Sequence, residues 1–266
     1  MMKYDKSGFY TTGKLENNTI VKKIQYHGAV EEKFGLEIFP CTIEGIKNYV
    51  KKLKEAGVEV ADVKDIYVSN QDLYIIQDYI VGKTLNEYLL SENAIVSKEQ
   101  YDFFEQLLKI QRKILSYNSD LRIDFNLNNF IISNKKLILV DIIPPIYIKD
   151  KRINMQDKKA NIVYSLYCEP EWQIIAVISY WILAKMNYNI KNNLEELINQ
   201  LFLLANRYFY GYFCWENIVK IGVYNENAWF HQRLKIIKDY FDEKISFNNM
   251  YSTFREYSLS ETFREK

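Results

Sequence analysis

The 266 residues are 48% hydrophobic, which is enough apolar surface to close a substantial core and excludes a disordered chain. Lysine plus arginine (35) nearly balances aspartate plus glutamate (34), so no global field points to nucleic acid or to an acidic membrane surface. Three cysteines far apart and only two histidines argue against a disulfide framework and a His/Cys zinc cluster, and the expected compartment is a reducing cytoplasm.

In chain order, the opening MMKYDKSGFYTTG lacks the apolar core of a signal peptide, so secretion is not expected. Phe9 to Gln25 has two short extended segments around a polar turn and predicts a β-hairpin. Within it, GFYTTGKL at Gly8 to Leu15 nearly spells a phosphate loop, but Leu15 stands where a magnesium-binding hydroxyl belongs and a strand follows instead of a helix. Residues 42 to 56 predict a helix with Ile43, Ile46, Tyr49, Val50 and Leu53 at three- and four-residue steps, Thr42 as cap and Gly57 as stop. VKDIYVSN and LYIIQDYIV then read as antiparallel strands joined by a turn.

Past Gly82 the pattern turns helical, with helices expected at 84 to 91, 98 to 117, 171 to 186, 193 to 209 and 228 to 242. The apolar window from Ile174 to Ala184 is shorter than the roughly 20 residues that span a bilayer, so it reads as a buried helix and no membrane association is expected. The 22 tyrosines and 15 phenylalanines read mainly as core fillers. The expected architecture is α+β and bilobal, with a small β-rich lobe over 1 to 80 and a larger helical lobe over 81 to 266.

RIDFNLNNFIISNKKLILVDIIPP, residues 122 to 145, interrupts the helices with short strands around Phe130 to Ile132 and Leu137 to Val140. If these pair as a hairpin through Ser133 and Asn134, Asn129 and Asp141 come to the same end, with Asp124 in the loop before them. Two carboxylates and an amide oxygen at a hairpin's mouth suit Mg²⁺, whose charge would offset theirs.

Asp124, Asn129 five residues on, a short hairpin and Asp141 after an apolar strand resemble the catalytic and metal-binding loops of the protein-kinase-like superfamily. The branch it resembles more closely is the aminoglycoside phosphotransferase and choline-kinase-like group. The resemblance covers about residues 8 to 145 and implies a bilobal protein-kinase-like fold that uses ATP and Mg²⁺ to phosphorylate a small-molecule hydroxyl. By it, Asp124 is the catalytic carboxylate, Asn129 and Asp141 are metal ligands, and Gln77, Asp78 and Tyr79 form the hinge whose backbone binds adenine. Lys22 would reach the phosphates, with Lys23 as the alternative, and Glu44 would be its acidic partner.

Departures accompany the resemblance. Arg122 stands where a His is usual, Ile123 follows it, and Ile142 and Ile143 replace the Phe-Gly type of pair after Asp141. They motivate an alternative, a pseudoenzyme that binds nucleotide or a protein partner without transferring phosphate. A protein kinase is a third reading, weakened by the lack of a convincing activation segment between Asp141 and Trp172. Oligomeric state is not legible.

Overall fold

The computed structural model describes residues 6–7, 11–25, 42–70, 72–91, 97–118, 121–144, 169–186, 193–224 and 229–259. Strands β1 (Lys6–Ser7), β2 (Thr11–Glu16) and β3 (Thr19–Gln25) run as an antiparallel meander. Asn17 and Asn18 both take positive φ between β2 and β3, which matches the right-handed twist of a tight hairpin and suits asparagine better than branched residues. Helix α1 (Ile43–Glu55) follows, its first turn capped by Thr42, whose hydroxyl accepts from Gly45 N–H, and Gly57 closes its end at φ +77°. Strands β4 (Val63–Ser69) and β5 (Asp72–Asp78) complete a five-stranded sheet in the order β1-β2-β3-β5-β4.

On β5, Leu73, Ile75 and Gln77 are buried while their neighbours are only half-buried, so one face of the sheet turns inward. Register carries that face to β3, where Ile20 lies opposite Gln77, Lys22 opposite Ile75, and Ile24 opposite Leu73. Helix α1 joins two cores. Ile46 and Val50 pack with Ile24, Ile66, Leu73 and Ile75 beneath the sheet, whereas Tyr49 and Leu53 belong to the larger helical core.

The rest is mostly helical: α2 (Leu85–Ser91), α3 (Lys98–Tyr117), α4 (Pro170–Met186), α5 (Leu194–Phe209), α6 (Trp215–Tyr224), α7 (Trp229–Phe241) and α8 (Phe247–Leu259). Helix α4 is buried along nearly its whole length and touches α2, α5, α7 and α8, which is why its sequence is apolar on every side. Among the described residues, no helix is long and apolar enough to cross a membrane. A second sheet of β6 (Lys83–Thr84), β7 (Phe130–Ser133) and β8 (Lys136–Leu139) interrupts the helices. Its β6 edge explains Gly82, where a Cβ would lie 2.2 Å from the Ile132 carbonyl oxygen.

The β-rich and helical parts form the α+β, two-part architecture expected from the sequence, and the expected helices agree to within a residue or two at their ends. Helices α6 and α8 were not expected. WENIVKIGVY carries β-branched residues and Gly222, and FNNMYSTFREYSL has two asparagines in its first turn, so neither has a clean helical signature.

His231 on α7 is fully buried, its Nε2 3.0 Å from the Tyr212 hydroxyl and its ring edge-on to Trp172. Burial lowers its pKa to about 4. A histidine depressed in the folded state contributes stability above its unfolded pKa, and this is lost as pH falls from about 6.5 to about 4. In denaturant titrations, His231→Leu should therefore lose less stability than the wild type between pH 7 and pH 4, by up to about 3 kcal/mol.

Candidate active site

The hairpin expected within residues 122 to 145 forms as β7 and β8, with Asn134 and Lys135 at positive φ in its two-residue turn. Its mouth is closed by Val140 N–H donating to the Asn129 carbonyl at 2.8 Å. Asn129 and Asp141 therefore flank one end of the hairpin. Leu127–Asn129 is a 3-10 turn capped by the Asn126 side chain, and it sets Asn129 just ahead of β7.

Asp124 is fixed by local bonds. Its Oδ1 accepts from Asn126 N–H at 3.0 Å, and its backbone carbonyl accepts from Asn129 Nδ2 at 3.3 Å. Part of Asp124 meets solvent, yet protein atoms surround the carboxyl. Burial, and then the charge of Asp141, push its pKa up to about 6, against the pull of Asn126 N–H and the Asn129 amide.

The two lobes meet at Val140 and Asp141. Lys22 Nζ donates to the Val140 carbonyl at 2.7 Å and lies 3.6 Å from Asp141 Oδ1, while Gln77 Nε2 donates to the same carbonyl at 3.0 Å. Lys23 takes the other face and pairs with Asp72 at 2.6 Å, so of the two candidate lysines only Lys22 reaches the Asp141 loop. The loop is anchored on its far side by Ile142, fully buried in the core beneath the sheet. The lobes are also tied behind the site, where Val60 bridges to Leu139 in parallel register and Leu139 exchanges backbone bonds with Glu59 and Ala61.

Two placements differ from the sequence expectations. Glu44 does not reach Lys22: its side chain is 86% exposed in the first turn of α1 and lies 3.5 Å from Lys47. The inward face of α1 presents Ile46, Tyr49, Val50 and Leu53, so the carboxylate beside Lys22 comes from Asp141 instead. The expected hinge residues Asp78 and Tyr79 have their backbone N–H groups committed, to the Asp62 and Asn18 carbonyls at 2.8 and 3.0 Å. Those two donors are not free to bind a base, and the Asp78 carboxylate pairs with Lys64.

Sequence reading missed the groups that hold the Asp124 loop from behind. Tyr49, buried on α1, donates its hydroxyl to the Arg122 carbonyl at 2.8 Å. Burial first, then the charges of Asp141 and Asp124, raise its pKa well above the ordinary phenol value, so it stays a donor. Gln173 Nε2 on α4 donates to the Ile123 carbonyl at 3.0 Å, and Gln111 Nε2 on α3 donates to Gln173 Oε1 at 2.7 Å. Both glutamines are buried. The available signal was a glutamine inside each of two apolar helical stretches, where an amide needs partners.

As a cation site, the donor set consists of two carboxylates and one amide, the chemistry a hard divalent ion prefers. No group of three or more His, Cys, Asp and Glu gathers among the described residues. The Asp124 pKa is raised first by burial and then by the repulsion of Asp141, and a bound cation would offset that second part.

No protein-family model matches the sequence, and no curated protein matches it. Among solved structures it is similar to Rad53 1-466 in complex with AMP-PNP, at 13% identity and a TM-score of 0.40, over 85% of this chain and 58% of that one. This chain thus spans less than two thirds of that chain, and at that score the likeness carries no argument about the site.

Asp124 pays a penalty for ionising in the fold, so its contribution to stability is present below pH 3.8 and fades as pH rises through about 6. Asp124→Asn keeps the acceptor for Asn126 N–H and removes the charge. Its unfolding free energy relative to wild type should rise between pH 4 and pH 7, by an amount on the order of 2 kcal/mol, and a pH-independent difference would show that the carboxyl titrates normally.

Proposed function

We propose that the chain transfers the γ-phosphoryl group of ATP to a hydroxyl of a small molecule, in the manner the protein-kinase-like resemblance implies. The observation that carries this is the meeting of Lys22, from the sheet, with Asp141 and Val140, at the mouth of the hairpin that also sets Asn129 and Asp124. Asp141 and Asn129 would hold Mg²⁺. The ion supplies charge compensation to the phosphates when bound. Lys22, already turned toward Asp141, would contact the same phosphates.

Asp124 orients the acceptor hydroxyl and takes its proton as the hydroxyl oxygen bonds to the γ-phosphorus and ADP leaves. Burial, which acts on the carboxyl before the charge of Asp141 does, keeps it a better base than an ordinary aspartate. Tyr49 and Gln173 hold the carbonyls of Arg122 and Ile123, the two residues before Asp124, so the base is carried on a fixed backbone. The mixed charge of the last helices, with Asp239 and Asp242 paired to Lys235, Lys238 and Lys244, gives no sign of a polycationic acceptor.

A second reading, a pseudoenzyme, is favoured by one specific observation: Glu44 stands in solvent, and the backbone donors of Asp78 and Tyr79 are already used. Nucleotide-dependent thermal stability separates the phosphotransferase from a pseudoenzyme that binds only a protein partner, and turnover that is lost in Asp124→Asn separates it from one that binds nucleotide. Mg²⁺ with ATP at about 100 times its dissociation constant should stabilise the wild type by roughly 2.7 kcal/mol. ATP alone should do less, Lys22→Met and Asp141→Asn should abolish the shift, and Lys23→Met should keep it. No shift at millimolar Mg²⁺ and ATP would remove the phosphotransferase reading.

A further inference from the structure

Beside the bridge that joins Val60 to Leu139 lies an open cleft of about 500 Å³, a size that suits a small ligand. None of Lys22, Asp124, Asn129 and Asp141 lines it. Burial alternates along β5, so Gln77 turns inward to the Val140 carbonyl while Asp78 turns to the opposite face and reaches the cleft. Ile138 likewise turns away from its buried neighbours Leu137 and Leu139 on β8 and lines the same space.

The cleft has an apolar part. Val60, Ile80 and Ile138 line it and are only half-buried, so each keeps surface that a ligand could cover. Three carboxylates, Glu59, Asp62 and Asp78, line it as well. Each is met by a lysine at one oxygen: Lys136 Nζ lies 2.7 Å from Glu59 Oε1, Lys54 Nζ 2.6 Å from Asp62 Oδ1, and Lys64 Nζ 2.9 Å from Asp78 Oδ2. Among the described residues, no group meets the second oxygen of any of the three. The lysines are well exposed, and surface pairs of this kind hold weakly.

Carboxylate oxygens only accept, so a ligand for this cleft has to bring donors, together with an aliphatic body for the apolar side chains. Several carboxylates around one apolar floor suit several ammonium groups on one chain. We infer that the cleft binds a linear aliphatic polyamine, its methylenes against Val60, Ile80 and Ile138 and its ammonium groups on the second oxygens of Glu59, Asp62 and Asp78. With Ile138 on the hairpin and the carboxylates on the other lobe, the bound chain would touch both sides of the lobe junction. The inference is independent of what Lys22 and Asp141 hold.

The test is calorimetric titration of the full chain with spermidine at low ionic strength, with hexamminecobalt(III) for comparison. The two cations carry the same charge, but only spermidine has methylenes. Spermidine is expected to saturate one site and to bind at least about fivefold more tightly than hexamminecobalt(III). Glu59→Gln combined with Asp62→Asn should weaken spermidine at least about tenfold, because two charge-assisted hydrogen bonds are lost. Glu195→Gln combined with Glu196→Gln, exposed in the first turn of α5, should leave its affinity unchanged. Ile138→Ser should weaken spermidine and not hexamminecobalt(III), and Ile80→Ser serves the same purpose if that variant does not fold.

Equal affinities for the two cations would overturn the inference, because only diffuse charge would then be read. So would an equal loss in the two double variants, or no binding of spermidine at several millimolar.

Discussion

The carbonyl of Val140 is the point on which the two lobes agree. It accepts from Lys22 and Gln77 of the sheet, while its own N–H donates to Asn129 of the second lobe. One residue thus fixes the height of Asp141 against Lys22 and the closure of the hairpin that carries Asn129. Ile142, one residue beyond Asp141, is buried beneath the sheet, so the Asp141 loop is held by polar bonds on one side and by packing on the other. With Val60 bridging to Leu139 behind it, the segment from Leu139 to Ile142 belongs to both lobes at once.

That arrangement concentrates negative charge where water is scarce. Asp124 shows the cost, its pKa raised to about 6 by burial and by Asp141. Lys22 offsets part of the charge on Asp141, and the remainder is what makes a divalent cation a sensible occupant. The supporting bonds from Tyr49 and Gln173 reach backbone carbonyls beside Asp124 and leave its carboxylate free of them. The scaffold holds the loop without neutralising the Asp124 carboxylate.

Much of this was legible in the sequence because local chemistry determines it. The period of α1, the asparagine turns and the alternation of β5 each follow from short-range rules, and the hairpin alone was enough to bring Asn129 and Asp141 together. Lys22 was named ahead of Lys23 by resemblance; what the register of β3 against β5 adds is direction, since it turns Lys22 inward with Ile75 and Lys23 outward with Tyr74. Glu44 was misplaced because helical spacing does not say which turn of α1 faces the lysine. Tyr49 and Gln173 were invisible because their partners lie 73 and 50 residues away in sequence. Long-range backbone acceptors leave no mark on a sequence pattern.

The most direct measurement uses Mn²⁺ in place of Mg²⁺ and follows free ion by electron paramagnetic resonance during titration with protein, with and without ATP. If Asp141 and Lys22 jointly hold a metal nucleotide, the protein should capture Mn²⁺ tightly, beyond what the same ATP chelates without protein, only when ATP is present, and this extra capture should fail in both Asp141→Asn and Lys22→Met. Capture that is indifferent to ATP, or that persists in Asp141→Asn, would contradict the idea that the lobes meet at Val140 in order to build this site.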